Sequence, residues 1–135
     1  MEKSQQELMA KLSMFEQQTQ HLNQQLQAVS DGIIEMSSLN FALDELKGKT
    51  GKEVLSPLGR GIFTKTKLIS EDLIVDIGGK NFVKKSIPEA KEIIEDQMKK
   101  LEEVKKSLEA EIEKVNKELM KMFEEAQKEN SESGE

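Results

Sequence analysis

The sequence predicts a mainly α fold, a long antiparallel two-helix coiled coil with two central β-hairpins. Three observations carry that expectation. Leu8, Phe15, Leu22, Val29, Met36 and Leu43 recur at intervals of seven, as do Ile94, Leu101, Leu108, Val115 and Met122. Each row has a companion at the alternating spacing of four and three: Leu12, Thr19, Leu26, Ile33 and Asn40 in one stretch, Met98, Lys105, Ile112, Leu119 and Ala126 in the other. Paired rows of this kind are the seam of a coiled coil, which hides one narrow apolar stripe per helix. The seams also match when the chain folds back on itself, with Leu8 opposite Ala126, Leu22 opposite Ile112 and Met36 opposite Met98. Between the two stretches the period changes and glycine accumulates.

The first arm, residues 1–47, reads as one helix from about residue 3. No proline interrupts it, Gln and Glu fill its outer face, and Gly48 with Gly51 closes its end. Gly32 is its weak point, costing about 1 kcal/mol against Ala. At the helical rise such an arm spans on the order of 65 Å.

Residues 48–86 form the body. Short β-branched segments at 53–57, 62–68, 73–77 and 81–85 are punctuated by Gly59, Gly61 and the pair Gly78 and Gly79. Four strands make two hairpins. Isolated hairpins are marginal in water, and their open edges invite pairing with another chain. The candidate assembly residues are Leu55, Pro57, Leu58, Ile62, Phe63, Ile74, Val75, Ile77, Phe82 and Val83.

The second arm, residues 87–129, is introduced by Ser86. Ser86 as N-cap, Pro88 in the first turn and Glu89 at the third position make a capping box. Residues 130–135 are expected to be a polar, disordered tail.

Composition supports long helices over a thick core. Of 135 residues only 36% are hydrophobic and 4% aromatic, while 34% are charged. A thin seam leaves burial to be supplied by partner chains. Cysteine is absent, which excludes disulfides and thiolate metal sites. No apolar run has the length of a membrane span and the first ten residues are polar, so a cytoplasmic protein without membrane contact is expected.

The net charge of −6 is unevenly spread. Residues 1–47 carry 3 basic and 7 acidic groups, residues 48–86 carry 8 and 4, and residues 87–135 carry 9 and 15. Acidic arms on a basic centre argue against an RNA- or ribosome-binding arm, because phosphate contact needs Lys and Arg along the contacting surface.

A plain rod would keep its large apolar residues on the seam. The middle of the arms nearly does, with Val104, Ala28 and Ala110 as exceptions. Near the bend, Ile34, Leu39, Phe41, Leu46 and Ile93 leave the seam, and packing on the β body or neighbouring chains is expected there. Near the free end Met9, Met14, Met120 and Phe123 leave it, where nothing in this chain remains to cover them. Five of the seven methionines (Met1, Met9, Met14, Met120 and Met122) fall in that end. Flexible, polarizable Met suits a surface that adapts to varied apolar shapes. The plainer alternative is helix-favouring Met filling space. The candidate client-binding tip is Met9, Leu12, Met14, Phe15, Leu119, Met120, Met122 and Phe123.

Other motifs carry no chemistry. Gly78-Gly79-Lys80 lacks the upstream glycine and the following Ser or Thr of a phosphate loop, and Gly59-Arg60-Gly61 reads as a tight turn. His21, the single histidine, sits among glutamines and has no convergent partners for a metal. Asn40 and Lys105 on the seam read as register and pairing devices. No catalytic constellation or cofactor site is visible, so the chain is not read as an enzyme.

With the arms and body in place, the chain resembles the alpha class of archaeal-type prefoldin over nearly its whole length. The most specific residues are Val54 to Phe63, similar to the family's first hairpin, followed by Lys65. Next comes Ile74 to Ser86, similar to the second, with Glu89 and Ala90 opening the last helix. Ser56, Arg60, Ile62 and Lys80 depart from the family pattern. Two hairpins, where the beta class has one, mark the alpha class. The resemblance implies a hexamer of two alpha-type and four beta-type subunits built on an intersubunit β-barrel. It implies an ATP-independent chaperone that grips unfolded proteins with its coiled-coil tips and delivers them to a chaperonin. A structural or filament-forming prefoldin-like coiled coil is the alternative reading.

Overall fold

The computed structural model describes residues 2–133, with side-chain surroundings for residues 5–128. In chain order it comprises α1 (Glu2–Leu46), β1 (Glu53–Gly59), β2 (Ile62–Lys67), β3 (Leu73–Asp76), β4 (Phe82–Lys85) and α2 (Ile87–Ser133). Two long helices with two antiparallel hairpins are the expected fold. Met1 of the methionine-rich end lies outside the described residues. Helix α2 continues past residue 129, where a disordered tail was expected. The run of Glu, Lys and Gln before it favours helix, and Gly134 is the first strong breaker. Residues 134 and 135 lie outside the described residues.

The chain divides into two compact units, Met1–Gly32 with Leu101–Glu135, and Ile33–Lys100. In the first, the outer segments of α1 and α2 pair along the seam. Leu22, Leu108 and Val115 are buried, and Phe15, Leu26, Val29 and Ile112 pack around them. Every seam position of this unit from Leu8 to Ala126 is buried or half-buried, including Thr19 and Lys105. Fully burying one such Leu or Val contributes about 1.5–3 kcal/mol, so the stripe carries the pairing.

Gly32 closes this unit. A Cβ built there would lie 3.5 Å from Leu101 Cδ1, an ordinary van der Waals distance. Gly32→Ala is therefore expected to raise stability by about 1 kcal/mol through helix propensity. Thermal unfolding followed by circular dichroism checks it; a lower Tm would mean that Leu101 is held too rigidly to accept the methyl.

The second unit holds the hairpins and the inner helical segments. Its core is Leu43, Ile87, Ala90 and Ile94, with Met36, Leu46, Leu73 and Met98 packed against it. Leu73 is the link between β3 and the helices. The two sheets are separate, β1 with β2 and β3 with β4. In the first, Glu53 pairs with Lys67 and Pro57 with Phe63, and a bulge after Pro57 brings Gly59 opposite Ile62. Arg60 and Gly61 form its turn with φ of 50° and 78°, the double left-handed geometry that matches strand twist. In the second, Leu73 pairs with Lys85 and Asp76 with Phe82. Its turn closes with Asn81 N–H donating to Gly78 O at 3.1 Å, and Lys80 sits at φ 63°.

Local hydrogen bonds fix where the helices stop and start. The carboxylate of Glu71 accepts from the N–H of Gly48 just past the end of α1. Ser86 Oγ accepts from Glu89 N–H at 3.2 Å and donates to Glu89 Oε1 at 3.0 Å, so the capping box is formed. Across the helix pair, Lys91 Nζ donates to Asp44 Oδ1, with Lys47 Nζ 3.4 Å from the same oxygen.

Both carboxylates are held below the ordinary range, Asp44 chiefly by its hydrogen bond from Lys91 and Glu89 by that from Ser86. A depressed folded-state pKa gives stability that is complete above the ordinary carboxylate range and lost as pH falls through the lowered folded value. The unfolding midpoint should therefore fall less steeply between pH 6 and about pH 3 in Asp44→Asn/Glu89→Gln than in the parent chain. Parallel slopes would show that neither contact matters. Both groups are exposed, so the difference should shrink in high salt.

Candidate functional site

Two apolar surfaces remain after the chain has paired with itself. The first lies in the terminal unit, at the end that carries the chain termini. Met9 and Phe123 each directly follow a seam residue, and Met120 follows Leu119. In an antiparallel pair those positions flank the seam on one side, while Met14, which precedes Phe15, falls toward the other. Met9 is 71% exposed, Met14 69%, Met120 65% and Phe123 51%. Leu12, Phe15, Leu119 and Met122, expected just inside, are half-buried on the seam. Thr19 is too small to fill its seam position, and an open groove of about 370 Å³ runs past Phe15, Thr19, Asn116 and Leu119. The same unit exposes Val104, at 46%, as an isolated residue.

The second surface belongs to the hairpins. Leu55, Leu58, Ile62 and Phe63 are exposed on β1, β2 and their turn, and Ile74, Ile77 and Phe82 are exposed on or beside β3 and β4. Pro57 is exposed too. Val75 and Val83, expected in the same set, are paired across the ladder and half-buried. They share a strand face with Leu73, which reaches the helical core. The other β1–β2 face mixes Val54 and Ile62 with a polar pair, Ser56 Oγ and Thr66 Oγ1, 2.6 Å apart. Alternation thus turns one face of β3–β4 toward the helical core, and leaves exposed apolar residues on both faces of β1–β2.

Sequence reasoning missed two parts of this surface. Ile69, in the link between the hairpins, is 90% exposed; its signal was a single β-branched residue amid polar ones. An apolar groove of about 690 Å³ lies between β3 and the helices, lined by Met36, Leu39, Leu43, Leu73, Ile74, Ile93 and Ile94. The off-seam residues near the bend divide accordingly. Leu46 and Ile93 are half-buried, whereas Ile34, Leu39 and Phe41, expected to pack, are exposed on the single chain. Of these, Leu39 lines the groove beside β3, while Ile34 and Phe41 do not.

Asn40 is half-buried on the seam, and among the described residues its Oδ1 is buried without a hydrogen-bond partner, a cost of about 1–3 kcal/mol. His21 is exposed, its Nε2 3.2 Å from Gln25 Nε2. No group of three or more metal-ligating side chains occurs among the described residues. None of their helices is long and apolar enough to cross a membrane.

Helices paired on a heptad seam, an uncovered apolar end and two hairpins with bare strand faces define a coiled-coil subunit with a β body. The family model described as Prefoldin subunit matches residues 15–132, and the chain belongs to the prefoldin family. It is 37% identical over 97 residues to a prefoldin subunit alpha of Methanobrevibacter smithii, covering 71% of this chain and 66% of that protein. It is 28% identical over 89 residues to a prefoldin subunit alpha of Methanosphaera stadtmanae, covering 66% and 64%. To prefoldin subunit alpha 1 of Thermococcus kodakarensis it is 32% identical over 95 residues, covering 69% and 65%. The matched segments thus span just under two thirds of those relatives' length. A chain in a cryo-EM structure of filamentous PFD from Methanocaldococcus jannaschii has the same fold, with a TM-score of 0.73 at 23% identity over 84% of this chain and 96% of that one.

Proposed function

We propose that this chain is the alpha-type subunit of an ATP-independent chaperone. It assembles through its hairpins with a second alpha-type and four beta-type subunits, holds unfolded proteins at its coiled-coil tip and passes them to a chaperonin in the cytoplasm. It performs no catalysis and needs no cofactor. The observation that carries this reading is the joint exposure of Met9, Met14, Met120 and Phe123 at the terminal end of the helix pair. The hairpin residues Leu55, Leu58, Ile62, Phe63, Ile74, Ile77 and Phe82 support the assembly half, since strands left this bare are stable only when covered.

Mixing the chain with its cognate beta-type partner tests both halves. The expected product has the mass of a hexamer and suppresses aggregation of a diluted, denatured client without ATP. Before mixing, the chain alone should sediment as at least a dimer at micromolar concentration, because its apolar strand faces are self-complementary. A clean monomer, or a mixture without a complex, contradicts the assembly half. A complex that leaves client aggregation unchanged contradicts the chaperone half.

A further inference from the structure

The end of the terminal unit also gathers exposed thioethers. The chain has no Cys, Trp or Tyr, which leaves methionine as its main oxidisable side chain. Among the described residues, its methionines fall into two groups. Met9, Met14 and Met120 are between 65% and 71% exposed, whereas Met36 and Met98 pack against the Leu43 core and Met122 is half-buried on the seam. A thioether reacts as its sulfur is reached, so exposure sorts these groups into fast and slow.

We propose that Met9, Met14 and Met120 are a reversible oxidation site for peroxide that lowers the affinity of the tip for unfolded chains. Hydrogen peroxide transfers one oxygen to the thioether. The S–O bond forms as the O–O bond breaks, sulfur loses two electrons, and the peroxide leaves as water. The product sulfoxide is polar and chiral where the thioether was apolar and adaptable. All three residues lie off the seam, so the change falls on the exposed apolar surface and spares the Leu22 and Leu43 cores. Oxidation therefore weakens capture before it weakens the fold. This inference rests on the tip reading given above.

The test treats the full-length chain with limiting hydrogen peroxide, removes the oxidant, and maps sulfoxides by peptide mass spectrometry. Binding of a fluorescent, chemically denatured client is then measured by anisotropy. Sulfoxide is expected first at Met9, Met14 and Met120, with about a threefold or greater loss of client affinity at unchanged helicity. Treatment with the two methionine sulfoxide reductases, one for each epimer, should restore binding. In Met9→Leu/Met14→Leu/Met120→Leu, compared with its own untreated form, the same peroxide dose should change binding little. Even oxidation of all the methionines, or sulfoxide at those three positions without loss of binding, overturns the proposal. A parallel arm removes residues 1–15 and 119–135 from unoxidised protein. If that leaves client binding intact, the tip reading fails and the oxidation proposal falls with it.

Discussion

A chain in which residues 59–83 are replaced by a short Gly/Ser bridge is expected to remain helical and to lose its place in the oligomer. The deletion removes Ile62, Phe63, Ile74, Ile77 and Phe82, which are largely exposed on the single chain. It also removes Leu73, the β-residue packed on the Leu43 core, at a cost of about 1–2 kcal/mol for a half-buried side chain. The helical seam keeps Leu43, Ile87, Ala90 and Ile94 as well as Leu22, Leu108 and Val115. The helical signal should therefore persist with a lower Tm, and sedimentation with beta-type partner should show a monomer. A deleted chain that still enters the full-size complex would remove the hairpins from the assembly account.

The second large effect is expected from shortening both helices together. Removing residues 1–15 and 119–135 takes away Met9, Met14, Met120 and Phe123 with Leu12, Leu119 and Met122 behind them. The Leu22, Leu108 and Val115 core stays, losing Phe15 from its edge. Four exposed apolar side chains, each worth roughly 1 kcal/mol in partial contact with a client, correspond to a loss of affinity of up to about a thousandfold. Assembly should survive. Beta-type tips in the same complex would keep part of the protection, so the comparison uses equally truncated partners. Single substitutions should be mild, since the contact is spread over several flexible side chains. Full protection by the doubly truncated complex would exclude the tip as the capturing surface.

The seam was legible because a coiled coil writes its contacts into the chain at a fixed period. Even its polar members, Thr19, Asn40 and Lys105, lie where the heptad puts them, half-buried between apolar neighbours. The capping box at Ser86 and the turn at Arg60 were equally plain, because each needs only a few adjacent residues of set type. Longer-range packing was not. Leu73 reads as one strand residue among several, yet it is the one that anchors β3 on the helices. Val75 and Val83 looked like Ile74 and Phe82 in sequence, and strand alternation turns them to the half-buried face. Phe41 and Leu46 show the same limit on α1. Periodicity says that both leave the seam, but only three-dimensional packing covers Leu46 and leaves Phe41 bare.

Site-specific photo-crosslinking of an unfolded client would locate the capturing surface on the chain. A photoreactive amino acid would be placed in turn at Met14, Met120 and Val104 of the assembled complex. All three are exposed apolar positions of the same unit, but Val104 lies away from the terminal end. Capture at the tip predicts strong client adducts from positions 14 and 120 and little from 104. Equal labelling from position 104, or none from the other two, would contradict it.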